Sequence, residues 1–342
     1  MAWLWRWLLG RPVTFDLVPK DFLDAELAKK AAAQEPFKYI DESAVVELCD
    51  GITREQLSSC GIFRAWFTTL AINLQLQDKE GHPFHEKPFI LRKITIQSAD
   101  WIEDKKPDEK PEEKPRRRIL FLKIDSLITD EKSKLPGIAF LRGGSVAMLV
   151  IVKPKDSRQE RFVVLTEQAR IAGGSMRFKE IPAGMLDADH NIVGKAITEV
   201  EEETGLKFKP SELINLTELS IQEASHSAEC LQRAMYPSPG GSDEFISIFL
   251  CIKELDRLEI QQLQDKLTGI RTRGELIKLS LCKYEDLWKE GARDAKTLAA
   301  WTLYEGLLRS GVLQQKLDER KGKAIKALQD RTVPVQEDSD DD

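Results

Sequence analysis

The 342-residue sequence contains few cysteines, no excess of basic residues and no long apolar run. Its five cysteines include no Cys-x-x-Cys pair and are odd in number, which argues against both a disulfide framework and a zinc site. A formal net charge of −6 excludes the strongly basic surface with which proteins bind nucleic-acid backbones. No stretch is long and apolar enough to span a bilayer. We therefore expect a small-molecule partner, with no nucleic acid and no transmembrane segment.

The composition is that of a globular protein with enough chain for two folded units. Hydrophobic residues make up 42% of the sequence and charged residues 32%. The length is roughly twice that of a typical single domain. The opening MAWLWRWLLGR resembles part of a targeting segment, but Arg6 interrupts it and no small-residue cleavage site follows. We expect a cytoplasmic protein, and for this opening a packed helix, a membrane-surface anchor and an organellar presequence stay open.

Changes in composition divide the chain into four predicted regions and one insertion. Residues 104–118, DKKPDEKPEEKPRRR, are charged and interrupted by prolines, so they are predicted to form a disordered loop. The near-continuous apolar run from Ser145 is typical of a strand covered on both faces and begins a second domain. The regions are an extension at 1–60, an α+β domain at 61–144 with its insertion at 104–118, the second domain at 145–312, and a disordered acidic tail at 321–342.

Local periodicity predicts the secondary structure. The first ~55 residues carry helical signals and end at Thr53 and Gln56, which have capping-box spacing. The further predicted helices lie at 61–75, 193–204, 258–266 and 295–310, and the predicted strands at 89–96, 119–128, 145–152, 161–166, 245–252 and 276–281.

A cluster of glutamates lies on the predicted helix 193–204. Glu199, Glu202 and Glu203 are spaced i, i+3 and i+4 and share one face, whereas Glu201 points elsewhere. Carboxylates this close repel one another, and crowded oxygen ligands suit Mg²⁺ or Mn²⁺. A solvated acidic face is the alternative, because glutamate is also a good helix former. Gly205 is expected to end the helix. A separate apolar stripe consists of Val193, Ala196, Ile197 and Val200.

The segment from Gly184 to Leu206 resembles a Nudix box. That box runs glycine, five residues, glutamate, seven residues, Arg-Glu, an aliphatic residue, any residue, Glu-Glu, any residue, glycine and an aliphatic residue. Two positions depart, since His190 replaces the first glutamate and Thr198 replaces the arginine. In the family that arginine helps to hold the metal-binding carboxylates, and His190 is expected to be a surface residue. The matching residues are Gly184, Glu199, Val200, Glu202, Glu203, Gly205 and Leu206.

The resemblance extends to the ADP-sugar and ADP-ribose pyrophosphatase branch of that family, over about residues 60–312. It implies an α+β fold, namely an α/β/α sandwich with a mixed sheet behind an N-terminal α+β domain, and it implies a homodimer. The motifs that carry it are LTEQAR at 165–170, EIPAG at 180–184, YPSPGGSDE at 236–244, Thr268 to Arg271 with Gly274 and Glu275, Asp294 to Lys296, and the stretch from Ile62 to Arg142.

The resemblance implies metal-dependent hydrolysis of ADP-ribose or ADP-glucose to AMP and a sugar phosphate. Glu244 is the candidate general base, with Glu202 as a second catalytic candidate, and Gly240 and Gly241 are expected to make the loop of Glu244 mobile. The implied metal ligands, for Mg²⁺ or Mn²⁺, are the Ala183 carbonyl, Glu199, Glu202 and Glu203. The implied substrate-binding residues are Arg170, Glu180, Gly240 and Gly241.

Several of these residues also have plainer interpretations. Glu244 fits an ordinary turn before a strand, and Arg170 fits a surface salt bridge. Asp294 and Lys296 are expected to form a local ion pair or a helix cap, and Cys251 to be a small buried residue rather than a nucleophile. Two other functions stay open. One is hydrolysis of another nucleoside diphosphate derivative, and the other is a catalytically weak Nudix fold that binds a nucleotide or a protein.

Overall fold

The computed structural model of the chain describes residues 13–24, 37–104, 116–186, 192–223, 229–269 and 276–332, except for some side chains within helices and strands. The described residues form two compact units. The first unit lies within Met1–Val146, Ala183–Ala196 and His226–Ser247. The second unit lies within Ala147–Pro182, Ile197–Ser225 and Ile248–Asp342.

The elements are numbered along the described chain. The strands are β1 Val13–Asp16, β2 Ile40–Leu48, β3 Ile90–Asp104, β4 Arg116–Thr129, β5 Ile138–Leu141, β6 Gly144–Pro154, β7 Phe162–Arg170, β8 Ser175–Glu180, β9 Ala183–Met185, β10 Ile214–Asn215, β11 Phe245–Leu255, β12 Leu267–Thr268 and β13 Ile277–Lys283. The α-helices are α1 Arg54–Ser59, α2 Gly61–Gln75, α3 Ile192–Thr204, α4 Leu216–Glu223, α5 Arg257–Leu263, α6 Leu287–Glu290, α7 Ala295–Arg309 and α8 Val312–Thr332.

The first unit is built around a five-stranded sheet with the order β1-β2-β3-β4-β5. β2 and β3 are parallel, and the other neighbouring strands are antiparallel. Helix α2, which has the predicted bounds, buries Phe63, Phe67 and Ala71 completely. Their spacing of four residues places them on one helix face. They join strand residues such as Ile94 and Ile124 in one hydrophobic core.

The N-terminal residues differ from the expected helical structure. β1 and β2 occupy described parts of the first 55 residues, so the prediction of helix was wrong there. In β2 the buried residues Ala44, Val46 and Leu48 alternate with less buried ones, which is the period of a strand. A 3-10 helix occupies Pro19–Phe22, and the first α-helix of the described residues is α1, where the predicted capping box is confirmed. Thr53 Oγ1 accepts from the Gln56 N–H at 3.2 Å, and Gln56 Oε1 accepts from the Thr53 N–H at 2.9 Å.

The eight-stranded sheet has the order β10-β11-β6-β7-β13-β12, with β8 paired to β7 and β9 paired to β6. The apolar run predicted as a covered strand is β6, in which every residue from Val146 to Val152 is buried. Burial on both faces explains why its sequence does not alternate. The other strands predicted in the second half correspond to β7, β11 and β13, and the predicted helices to α3, α5 and α7.

Two predicted disordered segments contain regular structure at their described ends. β3 reaches Asp104 and β4 begins at Arg116, so both ends of the predicted loop are strand. Opposite charges face each other there, as in the pair Glu103 and Arg117, and favour pairing. Helix α8 continues to Thr332, because residues 321–332 are rich in lysine and alanine, which are good helix formers. Residues 105–115 and 333–342 lie outside the described chain.

The α+β class predicted from the resemblance is confirmed, because helices accompany two sheets, and the five-stranded sheet contains both parallel and antiparallel neighbours. The predicted domain boundaries near residues 60, 144 and 312 stay predictions. Strands β1 and β2, from the predicted extension, belong to the same sheet as β3, β4 and β5.

Candidate active site

The predicted acidic helix is α3, and its C-terminal end is held by two hydrogen bonds and by burial. Val200 and Thr204 are completely buried, and the Thr204 hydroxyl donates to the Val200 carbonyl at 2.6 Å. Gly205 takes the left-handed conformation with φ +69°, and its N–H donates to the Glu201 carbonyl at 2.8 Å. The predicted glycine stop is therefore confirmed.

The glutamates of α3 have different surroundings. Glu201 accepts hydrogen bonds from the Phe208 N–H at 2.8 Å and from the Lys207 ammonium at 3.0 Å. These two donors, the Phe208 N–H first, lower the pKa of Glu201. Glu201 is thus engaged away from the cluster, as predicted. Glu203 is buried, and its backbone carbonyl accepts from the Thr268 hydroxyl, which connects the end of α3 to β12.

The predicted metal ligands suit a hard divalent cation by their chemistry. Glu202 is exposed and Glu203 is 8% exposed, and both bring carboxylate oxygens from one helix. The side chain of Glu199 lies outside the described residues, and Ala183 begins β9 in the first unit. In the part of the chain that the structure describes, no three His, Cys, Asp or Glu residues are grouped to hold a metal. The ligand set stays a prediction.

The Gly-Gly loop before β11 is tied to β5 in the first unit. The N–H groups of Gly241 and Ser242 donate to the Ser238 carbonyl at 3.1 and 3.0 Å. The Gly241 carbonyl accepts from the Phe140 N–H at 2.9 Å. Gly240 and Gly241 are both exposed. The N–H of Gly241 is therefore already used within the protein, and the loop expected to be mobile is anchored at this point.

Asp243 and Glu244 both contact the turn between β5 and β6. Glu244 Oε1 lies 3.3 Å from Arg142 Nη1 and accepts from the Ser145 hydroxyl at 3.4 Å. Asp243 Oδ1 accepts from the backbone N–H groups of Arg142 at 2.7 Å and Gly143 at 3.1 Å. Burial raises the pKa of Asp243, and these N–H groups oppose the increase. The carboxylate of the candidate base is therefore held by a cation and a hydroxyl.

The amino-acid sequence alone does not indicate these partners of Glu244. Ser145 is 99 residues away from Glu244 along the chain, so no local spacing predicts their contact. Arg142 entered only through the family resemblance. The acidic doublet of Asp243 and Glu244 directly after the Gly-Gly loop is the signal that could have drawn attention to Asp243.

Arg170 and Glu180, both predicted to bind substrate, contact each other in the second unit. Arg170 Nε and Nη2 lie 2.7 and 2.6 Å from Glu180 Oε1. The side chain of Glu180 is 3% exposed, whereas that of Arg170 is 43% exposed. Lys296 Nζ donates to the other carboxylate oxygen of Glu180. One buried carboxylate thus holds two cations, and Arg170 does form the salt bridge of its plainer interpretation.

Asp294 and Lys296 form the expected local ion pair and helix cap. Lys296 Nζ lies 3.0 Å from Asp294 Oδ1, and Asp294 caps α7 by accepting from the Thr297 N–H at 3.1 Å. The Thr297 hydroxyl donates to Asp294 at 2.5 Å and accepts from the Ile181 N–H at 3.0 Å. The start of α7 is therefore bonded to Glu180 and to Ile181, the residue after it.

The structure describes some of the remaining predicted residues and not others. Thr198 is exposed on α3. His190, Arg271, Gly274 and Glu275 lie outside the described residues. Cys251 is completely buried, as predicted, and burial raises the pKa of its thiol to about 12.

Comparison with known proteins tests the resemblance over the whole sequence. No family model matches the chain. The chain is similar to Nudix hydrolase 14, chloroplastic, of Arabidopsis thaliana, with 34% identity over 282 residues that cover 82% of this chain and 81% of that protein. No described helix has both the length and the apolar character needed to cross a membrane. Identity of this extent reaches far beyond the box helix, and the chain therefore belongs to the Nudix hydrolase family.

Proposed function

We propose that this Nudix hydrolase cleaves the pyrophosphate bond of ADP-sugars such as ADP-ribose and ADP-glucose, releasing AMP and a sugar phosphate. The oxygen of a water molecule bonds to one phosphorus while the bridging P–O bond breaks, and the departing phosphate takes the electron pair. A base accepts a proton from the water. The observation that carries the proposal is the environment of Arg170. Its guanidinium is fixed by Glu180, yet its side chain is 43% exposed, so it presents a positively charged fork to an anionic diphosphate.

A divalent cation, Mg²⁺ or Mn²⁺, is part of the proposal. The carboxylates of Glu199, Glu202 and Glu203 and the carbonyl of Ala183 would hold it. When bound, the cation neutralises negative oxygens of the diphosphate. Support comes from the oxygen-only character of the donors. The contacts of Gly205 and Thr268 add to it, because they fix the backbone next to Glu203.

Glu244 is the proposed general base. Its carboxylate contacts Arg142 at 3.3 Å and Ser145 at 3.4 Å, so its orientation is set by the protein rather than by solvent. Glu202, which is exposed on α3, is the second proposed catalytic residue. Substrate binding is assigned to Arg170, Glu180 and the Gly240-Gly241 turn. In that turn Gly241 provides backbone shape, since its N–H is bonded to Ser238.

Two alternatives follow from specific residues. Hydrolysis of a different nucleoside diphosphate derivative, such as a dinucleotide, is the first, because nothing in the sequence fixes which base or which sugar the site accepts. A catalytically weak nucleotide-binding protein is the second, because Thr198 and His190 stand where the box has arginine and glutamate. We further propose a homodimer, by family resemblance, and a cytoplasmic location. An organellar location is the alternative, since the Arabidopsis relative is named chloroplastic.

The test is release of AMP from ADP-ribose and ADP-glucose, with Mg²⁺ or with a chelator, by wild type and Glu203→Gln. We expect wild type to release AMP only with the metal. We expect a rate at least about tenfold lower in Glu203→Gln, since replacing even a residue that contacts a metal ligand lowers metal affinity or activity by that factor. Glu201→Gln is the control, because Glu201 is on the same helix but bonded to Phe208 and Lys207. No AMP from folded wild type, or an unchanged rate in Glu203→Gln, would contradict the proposal.

A further inference from the structure

We propose that Lys296 is a positioning residue for substrate binding. It neutralises Glu180, so that Glu180 orients Arg170 without cancelling the positive charge that Arg170 offers to an anionic substrate. The inference rests on the proposed function and deepens it, because it gives a role in recognition to a lysine otherwise accounted for as part of a local ion pair.

The two oxygens of Glu180 serve different cations. Oε1 accepts from Nε and Nη2 of Arg170 at 2.7 and 2.6 Å, and Oε2 accepts from Lys296 Nζ. Exposure differs sharply between the cations, at 43% for the Arg170 side chain and 12% for that of Lys296. A carboxylate with Arg170 as its sole cationic partner would cancel most of the charge of Arg170. Lys296 supplies the second positive charge from the buried side.

The charges around Glu180 sum to a small positive value. Arg170 and Lys296 are positive, whereas Glu180 and Asp294 are negative. Asp294 is bonded to the N-terminus of α7 through the Thr297 N–H, and a helix N-terminus adds about half a positive charge. The net charge of these four side chains and the helix N-terminus is therefore about +0.5 elementary charge. Since Glu180 and Asp294 are buried and the Lys296 side chain is only 12% exposed, Arg170 is the member through which most of this charge reaches solvent.

The same contacts set the direction of the Arg170 guanidinium. Two bonds to one oxygen of Glu180 fix the plane of the fork, and no described residue accepts a hydrogen bond from Nη1. Glu180 is itself held, because the next residue, Ile181, donates its N–H to the Thr297 hydroxyl at 3.0 Å. The free edge of the fork matches the spacing of two phosphate oxygens. Lys296 thus acts on the substrate through Glu180 and Arg170.

The test is steady-state kinetics of Lys296→Met, which keeps the chain length and removes the charge. We expect KM for the ADP-sugar to rise by about 10- to 100-fold with kcat within about threefold, which is the signature of lost substrate binding. Lys296→Gln, which keeps a donor without the charge, should show the same rise. Lys296→Arg should recover part of the wild-type KM, because it restores the positive charge.

Lys253→Met is the matched control. Lys253 has a side chain 18% exposed and pairs with Glu212 at 2.7 Å, so it resembles Lys296 in burial and pairing but has no bond to Glu180. Lys253→Met should lower the thermal unfolding midpoint by about as much as Lys296→Met does, and it should leave KM unchanged. Equal KM values for Lys296→Met and Lys253→Met would overturn the inference. A KM for Lys296→Arg as high as that for Lys296→Met would also overturn it. If Lys296→Met does not fold, Lys296→Gln decides the question.

Calorimetric titration with ADP-ribose separates this inference from the proposed function. A wild type that binds ADP-ribose but releases no AMP would reject the proposed function, and the dissociation constants of the same variants would then take the place of KM. We expect the same 10- to 100-fold weakening there for Lys296→Met. A wild type that binds neither ADP-ribose nor ADP-glucose would overturn the inference itself.

Discussion

The backbone N–H of Arg142 donates a hydrogen bond of 2.7 Å to the carboxylate of Asp243, which lies 101 positions later in the chain. The guanidinium of the same Arg142 lies 3.3 Å from Glu244. Arg142 therefore contacts two consecutive acidic residues, one with its backbone and the other with its side chain. Because Asp243 holds the backbone of Arg142, it also sets where the guanidinium of Arg142 meets Glu244.

Replacing Asp243 with Asn should change how stability depends on pH. The pKa of Asp243 is raised above its ordinary 3.8, chiefly by burial. The stability it contributes is thus fully present below its unfolded pKa and is lost as the pH rises through its folded pKa. The free energy of unfolding of wild type should therefore fall, relative to Asp243→Asn, between acidic and neutral pH. Urea unfolding at a series of pH values measures this difference.

Asp130→Asn provides the control for that experiment. The N–H groups of Lys132 and Ser133 lower the pKa of Asp130, so its contribution is present above its unfolded pKa and is lost as the pH falls through its folded pKa. The two variants should differ from wild type with opposite dependence on pH. A pH-independent difference for Asp243→Asn would show that its carboxylate is not penalised by burial.

Replacing Glu244 with Gln should remove the proposed base. We expect kcat for AMP release to fall by about 10²- to 10⁴-fold, the usual contribution of general acid–base catalysis, with a smaller change in KM. Glu254→Gln is the control, because Glu254 is an exposed glutamate on the same strand, β11. A kcat within about threefold of wild type in a folded Glu244→Gln protein would mean that another group accepts the proton.

Replacing Gly205 with Ala should destabilise the end of the acidic helix. Gly205 has φ +69°, where a side chain costs about 1–2 kcal/mol, and its Cβ would lie 2.5 Å from Lys266 Nζ. We expect the free energy of unfolding to fall by roughly that 1–2 kcal/mol. Gly306→Ala, in the interior of α7 with open space around it, should instead stabilise by about 0.5–1 kcal/mol. Urea unfolding of the two variants checks the opposite signs.

Local periodicity was sufficient for much of the fold. The bounds of α2 agree with the sequence prediction, and those of α3 and α7 agree to within one residue. Periodicity was insufficient for β1 and β2, because β2 is stabilised by parallel pairing with β3, a contact between distant parts of the chain. The first residues of β4, Arg116 to Arg118, were not predicted as strand for a related reason, since these charged residues are held by pairing with β3 and not by burial.

The sequence by itself determined the family and the face of α3 that carries the glutamates, because residues three or four apart on a helix are neighbours whatever surrounds them. It also indicated Arg170, Glu180 and Glu244 as candidates. Only the tertiary structure decided what holds these side chains. Lys296 reaches Glu180 across 116 residues of sequence, and Ser145 reaches Glu244 across 99. Such contacts depend on strand pairing and on where helices begin, which no local spacing encodes.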